Sequence, residues 1–185
     1  MEIILASNSP RRKELLSQAG IEYKVVAADI DEVTDKTIPA EIVQDLSRQK
    51  AAAVADKLGN EKIILAADTV VAIGDKILGK PKSKDDALDM LTMLSGRTHQ
   101  VFTGVTLIDT QGGYHTFSAC TDVTMYDNSK EEILGYISTG EPMDKAGAYG
   151  IQGRGAILVK EIKGDYNNVV GMPLAATVRL LKTLT

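Results

Sequence analysis

Short apolar runs, each followed by turn residues, alternate with helical patterns in the first third of the chain. The run from Ile3 to Ala6 predicts a buried strand, and the run from Tyr23 to Ala27 predicts a second one. Between them a helix is expected over residues 10–20, and a longer amphipathic helix is expected from Pro39 to Leu58. This strand–helix–strand–helix order is typical of an α/β protein.

The rest of the pattern is more varied. Further strands are predicted over residues 63–67, 70–73, 100–109, 114–126 and 156–162, further helices over 85–94, 130–138 and from Pro173, and a glycine-rich stretch over 140–155. Gln111-Gly112-Gly113 between two of these strands predicts an antiparallel hairpin. Because alternating helices are followed by a meander, we expect an α/β fold with a mixed β-sheet and helices on both faces.

Length and composition narrow the class of protein. The 185 residues, 44% of them hydrophobic, are enough for one domain with a full core, so a single domain over residues 1–185 is expected. The net charge of −4 and the 4% aromatic content argue against a nucleic-acid binder. With no apolar run of the roughly 20 residues that a membrane span needs, no signal-peptide pattern and one cysteine, Cys120, we expect a cytoplasmic protein in which that thiol is packed.

The first predicted helix begins with an unusual charge pattern. Ser9 and Pro10 suit the N-cap and N1 positions, but Arg11, Arg12 and Lys13 follow directly. A helix start carries a partial positive charge, so cations there are unfavourable unless an anion is close. Backbone N–H groups, guanidinium groups and hydroxyls together form a good phosphate receptor. The pattern therefore predicts a phosphorylated ligand.

Asp68 is the strongest candidate for chemistry. It interrupts the apolar run 63–73, where a carboxylate is costly to bury unless a metal, a cation or several donors meet it. Two interpretations stay open: a metal ligand or general base at a strand end, or a buried aspartate satisfied by backbone N–H groups. Asp31 and Glu32 form a second acidic focus, and Asp31 is equally well explained as a solvated charge.

Two glycine motifs do not fit the sites they suggest. Residues 74–80 match the start of a phosphate-binding P-loop, but Pro81 stands where Ser or Thr is needed, and Gly74-Asp75 is better explained as a hairpin turn. Residues 147–155 lack the dinucleotide-binding spacing. His99 and His115 lack zinc-site spacing, so a hard cation such as Mg²⁺ or Mn²⁺ is the expected metal.

Several motifs, taken in order, resemble the Maf family of nucleotide pyrophosphatases. They are Leu5-Ala6-Ser7-Asn8-Ser9-Pro10-Arg11-Arg12, Ala67-Asp68-Thr69, Gly79-Lys80-Pro81, Leu94-Ser95-Gly96-Arg97-Thr98-His99 and the segment from Glu141 to Gly153. The resemblance runs from Ile4 to about Pro173. It implies an elongated mixed sheet with a central cleft, similar to the inosine triphosphate pyrophosphatases. It also implies hydrolysis of nucleoside triphosphates to the monophosphate and pyrophosphate with a divalent cation, Mg²⁺, Mn²⁺ or Co²⁺.

The resemblance also implies roles for individual residues. The family's catalytic aspartate, a proton acceptor, falls on Asp68, and its acidic partner on Glu32. The phosphate-binding residues fall on Ser7, Arg11, Arg12, Lys50 and Lys80. On this basis Asp68 and Glu32 are expected to hold the metal, while Asp68 could be base, ligand or both.

Three positions bear on the substrate. The dTTP/UTP subgroup of the family has Arg, Thr and Gln at its specificity positions, and these match Arg12, Thr69 and Gln152 rather than the subgroup acting on 7-methyl-GTP. An amide can pair with the edge of uracil or thymine, although Gln152 could also be a loop amide bonded to backbone. The sequence leaves open whether the substrates include modified pyrimidine triphosphates, as they would in a house-cleaning enzyme.

Two other functions are considered. The chain could bind nucleotides without hydrolysing them and regulate cell division or septum formation, as the family's name implies. It could instead grip a nucleic-acid backbone through its helix-start arginines, which the negative charge disfavours. A homodimer is plausible for the fold.

Overall fold

The computed structural model describes residues 2–59 and 61–184. These residues group into two compact units. The first unit is formed by the described residues within Met1–Thr69, Thr103–Ala119 and Gly171–Thr185, and the second by Val70–Phe102 and Cys120–Val170. The expectation of one domain over residues 1–185 stays a prediction.

The described residues form one seven-stranded sheet. Its strands are β1 (Glu2–Leu5), β2 (Glu22–Val25), β3 (Ile64–Ile73), β4 (Lys76–Leu78), β5 (Thr98–Ile108), β6 (Tyr114–Met125) and β7 (Val159–Lys163). The strand order is β2-β1-β3-β5-β6-β7, with β4 paired to β3. β1 runs parallel to β2 and β3, whereas β4 is antiparallel to β3 and β7 to β6. The predicted mixed sheet is confirmed.

Helices connect most of these strands. They are α1 (Pro10–Gln18), α2 (Pro39–Leu58), α3 (Lys84–Leu94), α4 (Lys130–Ser138), α5 (Tyr166–Val170) and α6 (Leu174–Thr183). The helices α1 to α4 and α6 lie where the periodicity predicts them. The short α5 was not predicted, because its five residues are fewer than a helical pattern needs to stand out. In the described residues, no helix is long and apolar enough to cross a membrane.

The first helix begins as its sequence predicts, but without a side-chain cap. Ser9 occupies the N-cap position and Pro10 the first helical position, yet the Ser9 hydroxyl does not bond to the helix. No acidic residue lies in the first turn. By contrast, α4 begins with a complete capping box formed by Ser129 and Glu132. The start of α1 therefore lacks the usual local compensation for its N–H groups.

Strand β3 corrects one prediction. It is continuous from Ile64 to Ile73, so Asp68 lies inside a strand and neither ends one nor interrupts it. The apolar residues on both sides of it are buried, and backbone pairing carries the strand through Asp68 and Thr69. The predicted turn at Gly74-Asp75 is confirmed, since Ile73 pairs with Lys76 and Gly74 has a φ of +58°.

The glycine-rich segment forms three short 3₁₀ helices instead of an open loop. They span Glu141–Asp144, Ala146–Ala148 and Gly153–Leu158. The last of them takes up residues that were predicted to begin β7, so that strand starts at Val159 and not at Ala156. The apolar residues 156–158 gave a strand-like pattern that periodicity alone could not separate from a 3₁₀ turn.

Each unit has its own apolar core. In the first unit, α2 packs Ala51 and Val54 against β1 and β3, in a cluster completed by Ile4, Ala6, Ile64, Ala66 and Ile108. Gly104 on β5 lets this helix approach, because a Cβ there would lie 2.2 Å from the Val43 carbonyl oxygen. In the second unit, α3 and α4 cover a cluster that includes Val101, Val123 and Leu158.

His99 and Cys120 differ in exposure. His99 is a buried packing residue, and its ring meets the Tyr149 ring edge-on with centroids 5.3 Å apart. Cys120 is exposed, so the expectation of a packed thiol is wrong. It lies on β6, where alternate side chains leave the sheet on opposite faces, and its face is the less covered one.

Candidate active site

Asp68 is buried in the middle of β3, with 8% of its surface exposed. Its carboxylate meets the ammonium group of Lys50 on α2, with 2.6 Å between Asp68 Oδ1 and Lys50 Nζ. The same Nζ lies 2.9 Å from Oε2 of Glu32, an exposed residue between β2 and α2. One lysine therefore bridges both carboxylates.

This contact shows how the buried carboxylate of Asp68 is compensated. A carboxylate removed from water needs a cation or several donors, and here the cation is Lys50. Among the described residues, no backbone N–H donates to the Asp68 side chain, so the alternative of a backbone-satisfied aspartate is not what the structure shows. Lys50 reaches it because α2 packs directly over β3 in the first unit.

Arg12 is held by three neutral oxygens. Its Nε donates to the Gly171 carbonyl at 2.8 Å, and its two terminal nitrogens donate to the hydroxyls of Ser7 and Thr69, each at 3.2 Å. The planar guanidinium group is thus fixed in orientation. Within the described residues it forms no ion pair, so its charge is oriented but not neutralised.

The electrostatic surroundings of Arg12 agree with this description. Burial lowers the pKa of Arg12, the charge of Asp68 raises it, Arg11 lowers it and Glu32 raises it, with a net lowering. Removal from water is therefore the larger effect, and the two carboxylates offset only part of it. Such a guanidinium is a strong receptor for a further anion.

A chain of hydroxyls supports Arg12 from behind. The Thr69 hydroxyl that accepts from Arg12 also lies 2.9 Å from the hydroxyl of Thr103, which is fully buried on β5. Ser7 Oγ accepts both from Arg12 and from the backbone N–H of Ser9, at 3.2 Å. These bonds fix the segment before α1 relative to the Arg12 side chain.

Lys50 and Arg12 contact two consecutive residues of β3. Asp68 pairs with Lys50, and Thr69 accepts from Arg12. Side chains alternate across a strand, so these are two neighbouring clusters and not one. They are nonetheless close enough for the charge of Asp68 to act on Arg12.

The remaining predicted residues are placed as follows. Arg11 is partly buried at the start of α1. Lys80 and Gln152 belong to the second unit. Lys80 is exposed after β4, and Gln152 is partly buried just before the 3₁₀ helix Gly153–Leu158. In the part of the chain that the structure describes, neither side chain has a hydrogen-bonding partner, so Gln152 is not a backbone-bonded loop amide.

The donor set for a metal is limited. The described residues contain no group of three or more His, Cys, Asp or Glu side chains that could hold a metal ion. Asp68 and Glu32 carry carboxylate oxygens, the type of donor that Mg²⁺ and Mn²⁺ prefer. Lys50 occupies the space between them.

Sequence reasoning missed two residues of the Arg12 cluster, Thr103 and Gly171. Thr103 is a polar residue in an apolar strand, but its partner depends on β3 and β5 being neighbours, which the sequence does not give. The carbonyl of Gly171 leaves no signal in side-chain patterns. Its position just before Met172 and Pro173 marks only a helix start.

The fold is shared with a solved structure. The chain is similar in fold to a HAM1 protein from Coxiella burnetii, with a TM-score of 0.56, 16% identity and 99% of both chains covered. The model of the Maf family, described as Maf-like protein, matches residues 2–184. The chain therefore belongs to the Maf family.

Relatives within the family are much closer in sequence. The chain is 52% identical to a dTTP/UTP pyrophosphatase of Agathobacter rectalis, over 99% of this chain and 97% of that protein. It is 51% identical to a dTTP/UTP pyrophosphatase of Bacillus pumilus, over 98% and 96% of the two chains. A Geobacillus protein of the same name is 52% identical over 99% and 98%.

Proposed function

We propose that this protein hydrolyses dTTP and UTP to the nucleoside monophosphate and pyrophosphate. Relatives with about half of their residues in common, over nearly their whole length, carry the name of that activity. The structural observation that carries the proposal is the oriented guanidinium of Arg12 beside the Lys50–Asp68 pair. Together they provide an anion receptor next to a carboxylate.

Arg12 receives the triphosphate. Ser7, Thr69 and Gly171 hold its guanidinium group in one orientation, so little freedom is lost when a phosphate binds. The start of α1 adds the positive end of a helix that no side chain caps. Arg11, Lys50 and Lys80 are proposed to share the remaining phosphate charge.

Asp68 orients the attacking water or accepts its proton. Its position inside an apolar strand keeps bulk water away from the carboxylate, which strengthens its interaction with a bound water. Lys50 holds the Asp68 carboxylate in place before substrate arrives, at 2.6 Å. Attack at the α-phosphorus forms the new P–O bond and breaks the bond to pyrophosphate, which takes the electron pair.

A divalent cation, Mg²⁺, Mn²⁺ or Co²⁺, is proposed as cofactor. Asp68 and Glu32 would hold it, and when bound it stabilises negative charge on the phosphate oxygens. For both carboxylates to take this role, the Lys50 ammonium has to leave the position between them. The phosphate oxygens of the substrate are the natural new partners for it.

Gln152 is proposed to recognise the pyrimidine base. Its amide carries both a donor and an acceptor, which match the carbonyl and N–H edge shared by uracil and thymine. The amide has no partner among the described residues, so it is available for that pairing. Cytosine presents a different donor and acceptor order and is expected to be a poorer substrate.

The cytoplasm is proposed as the compartment, because the exposed thiol of Cys120 is free and suits a reducing environment. The homodimer considered for this fold stays a prediction.

A panel of nucleotides tests the proposed function. We expect the purified protein with Mg²⁺, Mn²⁺ or Co²⁺ to release pyrophosphate, and not orthophosphate, from dTTP and UTP, and to act much more slowly on CTP and 7-methyl-GTP. Product identity is read by phosphorus NMR. Tight binding of dTTP without pyrophosphate release, for any of the three metals, would instead support a nucleotide-binding regulator.

A further inference from the structure

The loop that carries Gln152 is fastened on both sides within the second unit. Before it, the Tyr149 hydroxyl lies 2.6 Å from Nε2 of the buried His99. The next residue, Gly150, donates its backbone N–H to the Tyr136 hydroxyl at 3.1 Å. After it, the backbone N–H groups of Arg154 and Gly155 are also bonded. Gln152 is thus the residue at the centre of a short closed loop.

One carboxylate gathers these bonds. Glu141 accepts from the Arg154 N–H on Oε2 at 3.1 Å and from the Gly155 N–H on Oε1 at 3.3 Å. The Tyr136 hydroxyl, which holds Gly150, donates to the same Oε1 at 3.2 Å. Directly or through Tyr136, Glu141 therefore bonds both ends of the loop.

The packing around this carboxylate leaves the loop little room. A Cβ at Gly155 would lie 2.3 Å from the Gly150 carbonyl oxygen, so the two ends of the loop touch. A Cβ at Gly153 would lie 2.9 Å from both oxygens of Glu141, and the Gly153 φ is +64°. The loop closes onto the carboxylate at positions where only glycine fits.

The electrostatics match this geometry. Burial raises the pKa of Glu141, but the hydrogen bonds from Arg154, Gly155 and Tyr136 and the charge of Lys145 outweigh burial, and the pKa lies below its usual range. The ionised carboxylate is thus the form that binds the loop. Charge-assisted bonds of this kind are about twice as strong as neutral ones.

We propose that Glu141 is a positioning residue for base recognition: its carboxylate fastens the 150–155 loop and so presents the Gln152 amide to the pyrimidine. This inference rests on the proposed function, since it assigns to Glu141 the geometry that base selectivity requires. Glu141 does not itself contact the substrate in this account. It acts through Gln152.

Substitution of Glu141 is expected to change the preference for dTTP over CTP more than the rate of the hydrolysis step. In Glu141→Ala the loop loses two hydrogen bonds, from the Arg154 and Gly155 N–H groups, and the Tyr136 hydroxyl that holds Gly150 loses a third. The kcat/KM for dTTP should fall about tenfold or more, the usual effect of losing a bond to a charged group. The kcat/KM for CTP should change little, so the ratio of the two falls by a similar factor. The inhibition constant of inorganic tripolyphosphate, which has no base, should stay as in the wild type.

Glu141→Gln is the second variant, which keeps the shape of the side chain. Its amide nitrogen replaces an acceptor oxygen and faces a backbone N–H, so a smaller loss of selectivity is expected with the fold retained. Glu132→Ala is the matched control, because Glu132 also accepts a backbone N–H, that of Ser129 at 2.7 Å, but at the start of α4. It should lose stability without losing selectivity.

A double substitution tests whether Glu141 acts through Gln152. Adding Glu141→Gln to Gln152→Ala should leave the dTTP to CTP ratio where Gln152→Ala alone puts it. Wild-type selectivity in active Glu141 variants, or an equal loss on every nucleotide, would overturn the inference and leave the proposed function standing. A wild-type protein that releases no pyrophosphate from dTTP would overturn both.

Discussion

The ammonium group of Lys50 lies 2.6 Å from a carboxylate oxygen of Asp68. A helix residue thus supplies the cation that a carboxylate inside an apolar strand requires. The same group is 2.9 Å from Glu32, so the two carboxylates proposed as metal ligands share one lysine. The proposed metal binding therefore depends on the position of Lys50.

Lys50→Met should strengthen metal binding in the absence of nucleotide. Without the ammonium group, the Asp68 and Glu32 charges have no competing cation, and the affinity for Mn²⁺ should rise about tenfold or more. Titration calorimetry of nucleotide-free protein measures it. Lys57→Met, an exposed lysine in the last turn of the same helix, is the control and should leave the affinity unchanged. Equal affinities in the Lys50→Met variant and the wild type would contradict the link.

Arg12→Lys should impair catalysis although it keeps the charge. A single ammonium group cannot reach Gly171, Ser7 and Thr69 together as the guanidinium does, so its orientation is lost. We expect kcat/KM for dTTP to fall by roughly 10- to 100-fold. Arg48→Lys is the matched control, because Arg48 lies over the Tyr114 ring and is not part of the proposed site. Wild-type kinetics in the Arg12→Lys variant would refute the role of the α1 start.

Much of the fold could be predicted from the sequence because its periodic segments are long. The helices α2, α3 and α4 and the β5–β6 hairpin follow from apolar spacing and turn residues. The continuity of β3 through Asp68 could not be predicted, because the cost of a buried carboxylate is offset by Lys50, 18 residues earlier in the chain. The outcome depends on a tertiary contact.

The same limit applies to the site. Asp68 stands out as a charge in an apolar run, and Arg12 as a cation at a helix start, so both can be singled out locally. Thr103 and Gly171 act through strand order and a backbone carbonyl, which leave no local pattern. Glu141 has no local sequence signal for its position, which depends on hydrogen bonds from Arg154 and Gly155, more than ten residues later in the chain.

Gly104→Ala should destabilise the first unit strongly. The added methyl group would lie 2.2 Å from the Val43 carbonyl oxygen, so α2 would have to move away from β5. The free energy of unfolding in urea should fall by about 3 kcal/mol. Gly135→Ala offers the opposite case, since nothing lies within 4 Å of its Cβ position in α4, and it should gain about 1 kcal/mol. Similar stabilities of the two variants would contradict the close helix–strand contact.

The buried His99 should make stability fall on acidification. Burial lowers the pKa of His99 to about 4 from 6.5, so between these values the unfolded chain binds a proton that the folded chain does not. The contribution of His99 to the free energy of unfolding is complete above pH 6.5 and is lost as the pH falls. The loss amounts to about 2 kcal/mol between pH 7 and pH 5. Urea unfolding at both pH values should show this loss.

Two variants separate His99 from the other titrating groups. His99→Gln should remove that part of the pH dependence, whereas His115→Gln, which changes the partly exposed histidine paired with Asp109, should keep it. The same slope in the His99→Gln variant and the wild type would show that other groups cause the loss.

Steady-state release of pyrophosphate from dTTP by Asp68→Asn tests the central claim most directly. The substitution keeps the size of the side chain and removes the charge that pairs with Lys50. We predict that kcat falls by at least about 100-fold, the lower range for a lost general base, while the far-ultraviolet circular dichroism stays as in the wild type. A folded Asp68→Asn protein that turns over dTTP at the wild-type rate would contradict the account.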